Sequence, residues 1–323
     1  VTGRRVLITG ATGFIGQHLT RRLAAMNAEI WAGVFPQEPE ERVAALPAGA
    51  ERLPLDLRDP ATVGDAVARS RPEYIFHLAA VGVTEPGIDP LTALTVNVGG
   101  TVALLQAAQK QAVERILLLG TAYEYGAREA LEGLDPFNFY AASKAAAWAF
   151  ARAWWRVAQT PVVIARPFQV YGPGQPAHTL LPSVIRAALA GEDFPMTPGE
   201  QERDFIYVDD VVEGLLVIAA TPGIEGASLD LGTGQSHAIR HVVERVWALT
   251  GAQGCIRVGA LPYRPAEVMH LVADADHTAR LTGWRAKVGL EEGLRRMIDH
   301  GRQTTDHGRQ TTDDGPRRGG QVR

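Results

Sequence analysis

The stretch RRVLITGATGFIG, residues 4–16, decides the fold. An apolar run leads into glycines at 10, 13 and 16, and a helical pattern opens directly behind them. Strand before and helix after is the setting in which such glycines cradle a dinucleotide. Gly10 permits the tight turn, Gly13 lets backbone amides approach a pyrophosphate, and Gly16 lets the helix pack close to the strand. The amides of the helix N-terminus complete an anion site. The alternative, glycines that serve only a β-to-α turn, lacks a reason for all three.

Working outward, short apolar or β-branched runs alternate with helical patterns: RRVLIT, a helix over 14–26, EIWAGV, a helix over 60–69, YIFHLA, a helix over 91–112, RILLLG, a helix over 141–158, and PVVIARP. By the right-handed crossover rule, repeated βα units make a parallel sheet wrapped by helices. The runs are apolar on both faces, as central parallel strands are. The class is α/β, a Rossmann-type doubly wound sheet. After Pro167 the pattern loosens into Gly- and Pro-rich turns, with helices expected over 179–190, 209–220, 237–250 and 290–299. This predicts a dinucleotide-binding domain over 1–168, to which later segments cross back, and a smaller, mainly substrate-binding lobe over 169–300. The functional crevice is expected outside the carboxyl ends of the strands.

Residues 299–305 and 306–312 repeat DHGRQTT, and almost nothing after 300 is apolar. Such a segment cannot repay the entropy of ordering, so 301–323 reads as a disordered tail. Its five arginines and three aspartates leave residues 1–300 at −6 within a total of −4. At 323 residues, 46% hydrophobic and 21% charged, the chain has the composition of a globular protein with a sizeable core, and its acidic balance predicts no nucleic-acid surface. The single Cys255 forms no internal disulfide and reads as a small buried residue. The N-terminal residues lack a secretory pattern, and no run reads as a membrane span, so the expected location is cytoplasmic. His237 and His241 have no third ligand at matching spacing, so no metal site is expected. Trp154 and Trp155 read as core or subunit contacts.

GTAYEYG, 120–126, follows the run RILLL and precedes FYAASK, 139–144. Tyr140 and Lys144 stand four apart and share a helix face. A tyrosine is a poor base at neutral pH, but a neighbouring ammonium and a cationic nicotinamide ring could lower its pKa by roughly 3 units, worth about 4 kcal/mol. An ordinary surface pair is the alternative, against which stand the glycine cradle and Thr121. At the second strand's end AGVFP offers neither a carboxylate for a ribose 2′-hydroxyl nor an adjacent arginine for a 2′-phosphate, so NAD and NADP both stay open. Asp56, after the third strand pattern, could accept a hydrogen bond from an adenine amino group.

The chain resembles the extended short-chain dehydrogenase/reductase family, the NAD-dependent nucleotide-sugar epimerases, dehydratases and reductases. The resemblance runs from about 3 to 299 through TGATGFIG, DLRD (56–59), HLAA (77–80), Asn97 in TVNVGGT, the Thr121 motif, YAASK, RPFQVYGPG (166–174), RDFIYVDD (203–210) and YRPAE (263–267). It implies that Thr121 hydrogen-bonds the reacting sugar oxygen, Tyr140 transfers the proton, and Lys144 holds the nicotinamide ribose and tunes Tyr140. It implies cofactor contacts from Gly10, Thr12, Gly13, Phe14, Ile15 and Gly16, from Asp56 and Leu57, from Leu78, Ala79 and Ala80, and from Asn97. Thr84, Gln169, Arg203 and Arg264 are the implied substrate residues, the arginines for a diphosphate. Gln169 replaces the family's asparagine. The implied partner is a nucleotide-diphosphate sugar, and the implied assembly a homodimer through the 91–112 and 141–158 helices.

The family's 4,6-dehydratases carry acid/base carboxyl groups directly after the threonine. Here those positions are Ala122 and Tyr123, and Glu124 is one place late. Hydride and proton exchange at one sugar carbon remains, C4 in the family: an epimerase, or a 4-keto-sugar reductase, whose GDP-4-keto-6-deoxymannose branch the EYG ending resembles. The alternatives are a non-catalytic dinucleotide sensor, or a 4,6-dehydratase that uses Glu124.

Overall fold

The computed structural model describes residues 1–85, 87–126, 133–264 and 267–313, with 304–313 as backbone only. The first half runs β1 (Arg5–Thr9), α1 (Phe14–Ala25), β2 (Glu29–Val34), α2 (Glu40–Ala44), β3 (Glu51–Pro54), α3 (Pro60–Ser70), β4 (Tyr74–His77), α4 (Pro90–Ala93), a π-helical segment (Leu94–Gly99), α5 (Gly100–Ala108), β5 (Arg115–Leu119), a 3₁₀ turn (Ala122–Glu124), α6 (Phe139–Ala158) and β6 (Val162–Pro167). The second half runs β7 (Gln169–Tyr171), α7 (Leu180–Ala190), β8 (Phe194–Met196), β9 (Glu202–Arg203), β10 (Phe205–Tyr207), α8 (Val208–Ala220), β11 (Ser228–Leu231), β12 (His237–Ala238), α9 (Ile239–Thr250), β13 (Ile256–Val258), β14 (His270–Leu271), α10 (Ala275–Thr282) and α11 (Leu290–Asp313).

Seven strands form one parallel sheet in the order β11-β6-β5-β4-β1-β2-β3. Successive residues along each strand enter opposite cores, as the two-residue strand period requires. Val6, Ile8, Phe76, Leu117, Val163 and Ala165 pack on one face with Leu19 and Leu23 of α1 and Val211 and Leu215 of α8. Leu7, Ile75, Ile116, Leu118, Val162 and Ile164 pack on the other with α3, α5 and α6. Each fully buried Leu, Ile or Val contributes about 1.5–3 kcal/mol, which is why the strand runs are apolar throughout.

The chain alternates between two compact units rather than dividing at one point. The first comprises Val1–Tyr171, Gln201–His237 and Arg264–Val288; the second comprises Gly172–Glu200, Ala238–Tyr263 and the chain from Gly289. The later segments that cross back to the sheet's unit are Gln201–His237 and Arg264–Val288, and β11 is the sheet's seventh strand. In the second unit α7, α9 and α11 pack together through Val184, Ile185, Val242, Val246, Leu294 and Ile298.

Three local expectations need correction. The helix expected over 91–112 is α4, a π turn and α5, ending at Ala108. Pro90–Ala108 is also long and apolar enough to cross a membrane, contrary to the expectation of no such run, but 56% of it is buried inside the fold, as in a core helix. From 301 to 313 the chain continues α11 instead of forming a disordered tail; residues 314–323 lie outside the described residues. The helix is already nucleated by its packed first turns, and an added Cβ at Gly301 would stand only 3.2 Å from Ile185, so a small residue lets α11 lie close on α7. Cys255 is exposed, not buried.

Candidate active site

Backbone shape builds the cradle. Gly10 has φ +71°, and a Cβ there would stand 2.7 Å from the amide nitrogen of Ala79. A Cβ on Gly16 would come within 2.0 Å of the Gly10 carbonyl oxygen. Only glycine serves at either place. Gly13 caps α1 with no side chain over the first amides of the helix, which fits an anionic pyrophosphate. Thr12 is buried, and Phe14 meets His18 edge-on at 5.7 Å. Leu57 sits against Gly100, where a Cβ would be 2.6 Å away.

Asp56 follows β3 as expected, but with a partner the sequence did not announce. Arg58 bonds both its carboxylate oxygens, at 2.7–3.1 Å, and lies over the Phe35 ring at 5.2 Å. These bonds hold the Asp56 carboxyl below its usual range.

Asn97 lies in the π-helical segment, a form frequent at functional sites. Its side chain accepts from the Val81 amide at 2.9 Å, donates to the Val81 carbonyl at 3.0 Å, and donates to Ser143 Oγ at 2.8 Å. Ser143 in turn donates to the Tyr140 carbonyl at 2.7 Å. The loop holding Leu78, Ala79 and Ala80 is thereby tied to α6. Ser143 was not singled out from sequence, though it stands beside Lys144.

Thr121, Tyr140 and Lys144 come together within the first unit. Asn138 caps α6 by accepting from the Ala141 amide at 2.8 Å, and Tyr140, Ser143 and Lys144 fall on its buried face. Tyr140 is 7% exposed and Lys144 4%. Thr121 and Tyr140 share a side-chain hydrogen bond. Burial pushes the Lys144 pKa down to about 8, against the pull of Glu124. Burial followed by Lys144 repulsion pushes His77 down to about 3, between Thr9 Oγ1 at 2.7 Å and Thr101 Oγ1 at 2.9 Å.

The chain's own surroundings of Tyr140 act against the lowering expected from an ammonium and a nicotinamide ring. Burial, then the nearby Glu124, holds its phenol above the ordinary value, and the hydrogen bond with Thr121 offsets this only in part. The dominant influence is removal from water, which sequence spacing does not report.

Beneath this cluster Thr121 opens the 3₁₀ turn in a capping box: its hydroxyl accepts from the Tyr123 amide at 3.3 Å, and Glu124 Oε1 accepts from the Thr121 amide at 2.9 Å. Glu124 Oε2 accepts from Arg166 Nε at 2.8 Å. The guanidinium stacks over Tyr125 at 5.1 Å, and Tyr125 donates to Asp230 at 2.8 Å. Glu124, Arg166 and Asp230 are all buried. Tyr123 packs edge-on against Phe137 at 5.4 Å.

The expected substrate residues are less closely grouped. Arg203 is buried and donates to Glu267 at 2.7 Å; Gln169 is half-buried at the start of β7, its backbone N–H donating to the Asp204 carbonyl at 2.9 Å. Thr84 and Arg264 are exposed. All four lie in the first unit. Among the described residues no group of three or more His, Cys, Asp or Glu is arranged to hold a metal. His241 is exposed on α9, and His237 precedes that helix. Trp155 packs over Gly226, where a Cβ would be 2.3 Å from the indole.

A glycine cradle at the first β-to-α turn, with a Thr, Tyr and Lys cluster at the ends of β5 and α6, matches one family model over residues 6–232, that of the NAD dependent epimerase/dehydratase family. The chain belongs to this family. A UDP-glucose 4-epimerase of Mycolicibacterium smegmatis is 30% identical, covering 91% of this chain and 97% of its own. A probable dTDP-glucose 4,6-dehydratase of Sinorhizobium fredii is 29% identical, covering 91% and 92%. The crystal structure of Thermus thermophilus UDP-glucose 4-epimerase in complex with NAD superposes with a TM-score of 0.83 at 29% identity, covering 92% of this chain and 99% of that one. Family membership accounts for the parallel sheet, the cradle and the placing of Tyr140 and Lys144 on one helix; relatives at this distance include epimerases, reductases and dehydratases.

Proposed function

We propose that this chain is an NAD(P)-dependent nucleotide-diphosphate-sugar epimerase or 4-keto-sugar reductase that works at one sugar carbon, C4 by family analogy, and does not dehydrate its substrate. The observation that carries the proposal is the buried Thr121–Tyr140–Lys144 cluster, with no free acid or base among the described residues of the turn after Thr121. Ala122 has no such group, Tyr123 packs against Phe137, and the fully buried Glu124 spends its oxygens on the Thr121 amide and Arg166. That last arrangement speaks against a dehydratase built on Glu124. A pure sensor would have no use for an ammonium and a phenol kept dry together.

Gly10, Thr12, Gly13, Phe14, Ile15 and Gly16 would hold the pyrophosphate of NAD(P), Asp56 and Leu57 its adenosine end, and Leu78, Ala79, Ala80, Asn97, Tyr140 and Lys144 the remainder. The cofactor supplies a carbon that accepts or gives a hydride. Everything else falls to the chain. Thr121 bonds the sugar oxygen and orients it toward Tyr140. Tyr140 as a phenol gives its proton to that oxygen when the carbonyl is reduced, and as a phenolate takes the proton back when the alcohol is oxidised, a contribution of roughly 10²–10⁴-fold. The Lys144 ammonium favours negative charge on the phenol oxygen while the proton is away. Arg203 and Arg264, with Gln169 and Thr84, form the proposed substrate contacts. Exposed Leu91, Leu94, Phe150 and Val157 on α4, the π turn and α6 support a homodimer through these helices. A cytoplasmic location is part of the same proposal.

The test supplies the full chain with UDP-, GDP-, CDP- and dTDP-sugars, and separately with their 4-keto-6-deoxy forms plus NADH or NADPH. Interconversion of sugar epimers without net redox means epimerase, and stoichiometric loss of reduced nicotinamide means reductase. Cofactor binding with neither reaction, or release of a 4-keto-6-deoxy sugar from a hexose substrate, overturns the proposal.

A further inference from the structure

Glu124 has no part in the proton and hydride exchange, yet it bonds the Thr121 backbone and lies close enough to Tyr140 and Lys144 to act on both electrostatically. Its Oε1 holds the Thr121 amide at 2.9 Å and its Oε2 holds Arg166 Nε at 2.8 Å. Space for the carboxylate exists because residue 120 is glycine: a Cβ there would stand 2.6 Å from Oε1 and 2.7 Å from Ile164. Arg166 is steadied by the Tyr125 ring and, through the Tyr125 hydroxyl, by Asp230, whose other oxygen accepts from the Asp274 amide at 3.1 Å. A dry ion pair is a poor way to add stability, since apolar side chains of the same volume often do as well or better. Its position below reacting groups points to another use.

We propose, on the reading of the site given above, that Glu124 is a positioning residue: anchored by Arg166, it fixes the Thr121 backbone opposite Tyr140 and turns its carboxylate toward Tyr140 and Lys144. The groups facing this region are Tyr123 and Tyr125 beside Glu124 in the chain, Tyr140 and Lys144 from α6, His77 from β4, Arg166 from β6 and Asp230 from β11. Without the carboxylate charge, Lys144 gives up its proton at lower pH and so does Tyr140. Both limbs of a pH–rate profile governed by these two groups therefore move toward acid. Loss of a merely structural contact would lower the rate without moving the limbs together.

The test uses Glu124→Gln in the full chain, since the amide keeps an oxygen for the Thr121 N–H while it removes the charge and the acceptor facing Arg166 Nε. Lysines occur at 110, 144 and 287 alone, so ¹³C-lysine labelling resolves Lys144 by magnetic resonance. Lys144 is expected to titrate near pH 8 in the parent chain. In Glu124→Gln it should titrate roughly one pH unit lower or more, with Lys110 and Lys287 unmoved. Where turnover is measurable, kcat should fall about tenfold or more with KM within about threefold, and both limbs should shift to lower pH. Should Glu124→Gln not fold, the double variant Glu124→Gln/Arg166→Met keeps an oxygen for the Thr121 N–H and leaves no donor facing the amide, and a Lys144 shift in the same direction is required of it. An unmoved Lys144 titration in a folded variant overturns the inference. The titration needs no substrate, so a chain that turns over no nucleotide sugar refutes the proposed function while the lysine measurement still decides on Glu124.

Discussion

Lys144 shows most plainly what this site costs its fold. Its ordinary pKa of 10.5 is lowered to about 8 by burial, so between these values the unfolded chain binds the proton and the folded chain does not. Stability is therefore lost as the pH falls from about 10.5 to about 8, and the cost persists below that. Lys144→Met should raise stability near pH 7 by roughly 3 kcal/mol, fading above pH 10.5 to whatever its packing contributes, while turnover is lost. Urea melts at the two pH values check this, and equal gains at both would refute it. Tyr140→Phe should lower kcat roughly 10²–10⁴-fold and leave cofactor affinity nearly unchanged, as binding isotherms beside rates would show. The residue types of this cluster were legible in sequence because proton transfer admits few of them. The direction of the Tyr140 shift was not, because it depends on how completely α6 is covered.

At the scale of elements, the turn from β1 into α1 is the most constrained. Gly16→Ala drives a methyl group into the Gly10 carbonyl, so α1 must move and its first amides with it. The variant should lose about 1–3 kcal/mol of stability and bind NAD at least roughly tenfold more weakly. Calorimetry and a cofactor titration test this, and unchanged affinity would show that the amides do not serve the cofactor. The long central strands and α1, α3 and α6 were legible, because burial on two faces or one leaves a plain apolar period. The π turn around Asn97 was not, since a single wider turn leaves that period nearly intact. β11 was not, because SLDL alternates polar and apolar residues and lacks the apolar run of the other central strands, and α10 has only eight residues in which to show a period.

Over the whole molecule, the buried network joins residues far apart in the chain: Glu124 to Arg166, and Tyr125 to Asp230. Arg166→Met leaves a carboxylate buried without its cation and should destabilise by roughly 3–5 kcal/mol. Adding Glu124→Leu should restore much of that loss, because an apolar pair demands no counter-charge; a double variant no more stable than the single one would refute the coupling. The sequence by itself determined the α/β class, the glycine cradle and the Thr, Tyr and Lys of the site, since backbone turns and proton chemistry impose identities at set spacings. The tertiary structure alone decided that Glu124 is anchored by Arg166, that burial opposes ionisation of Tyr140, and that Arg203 and Arg264 belong with the sheet. Those depend on which surfaces lose water and which distant side chains meet, and both are settled only when the strands are laid side by side.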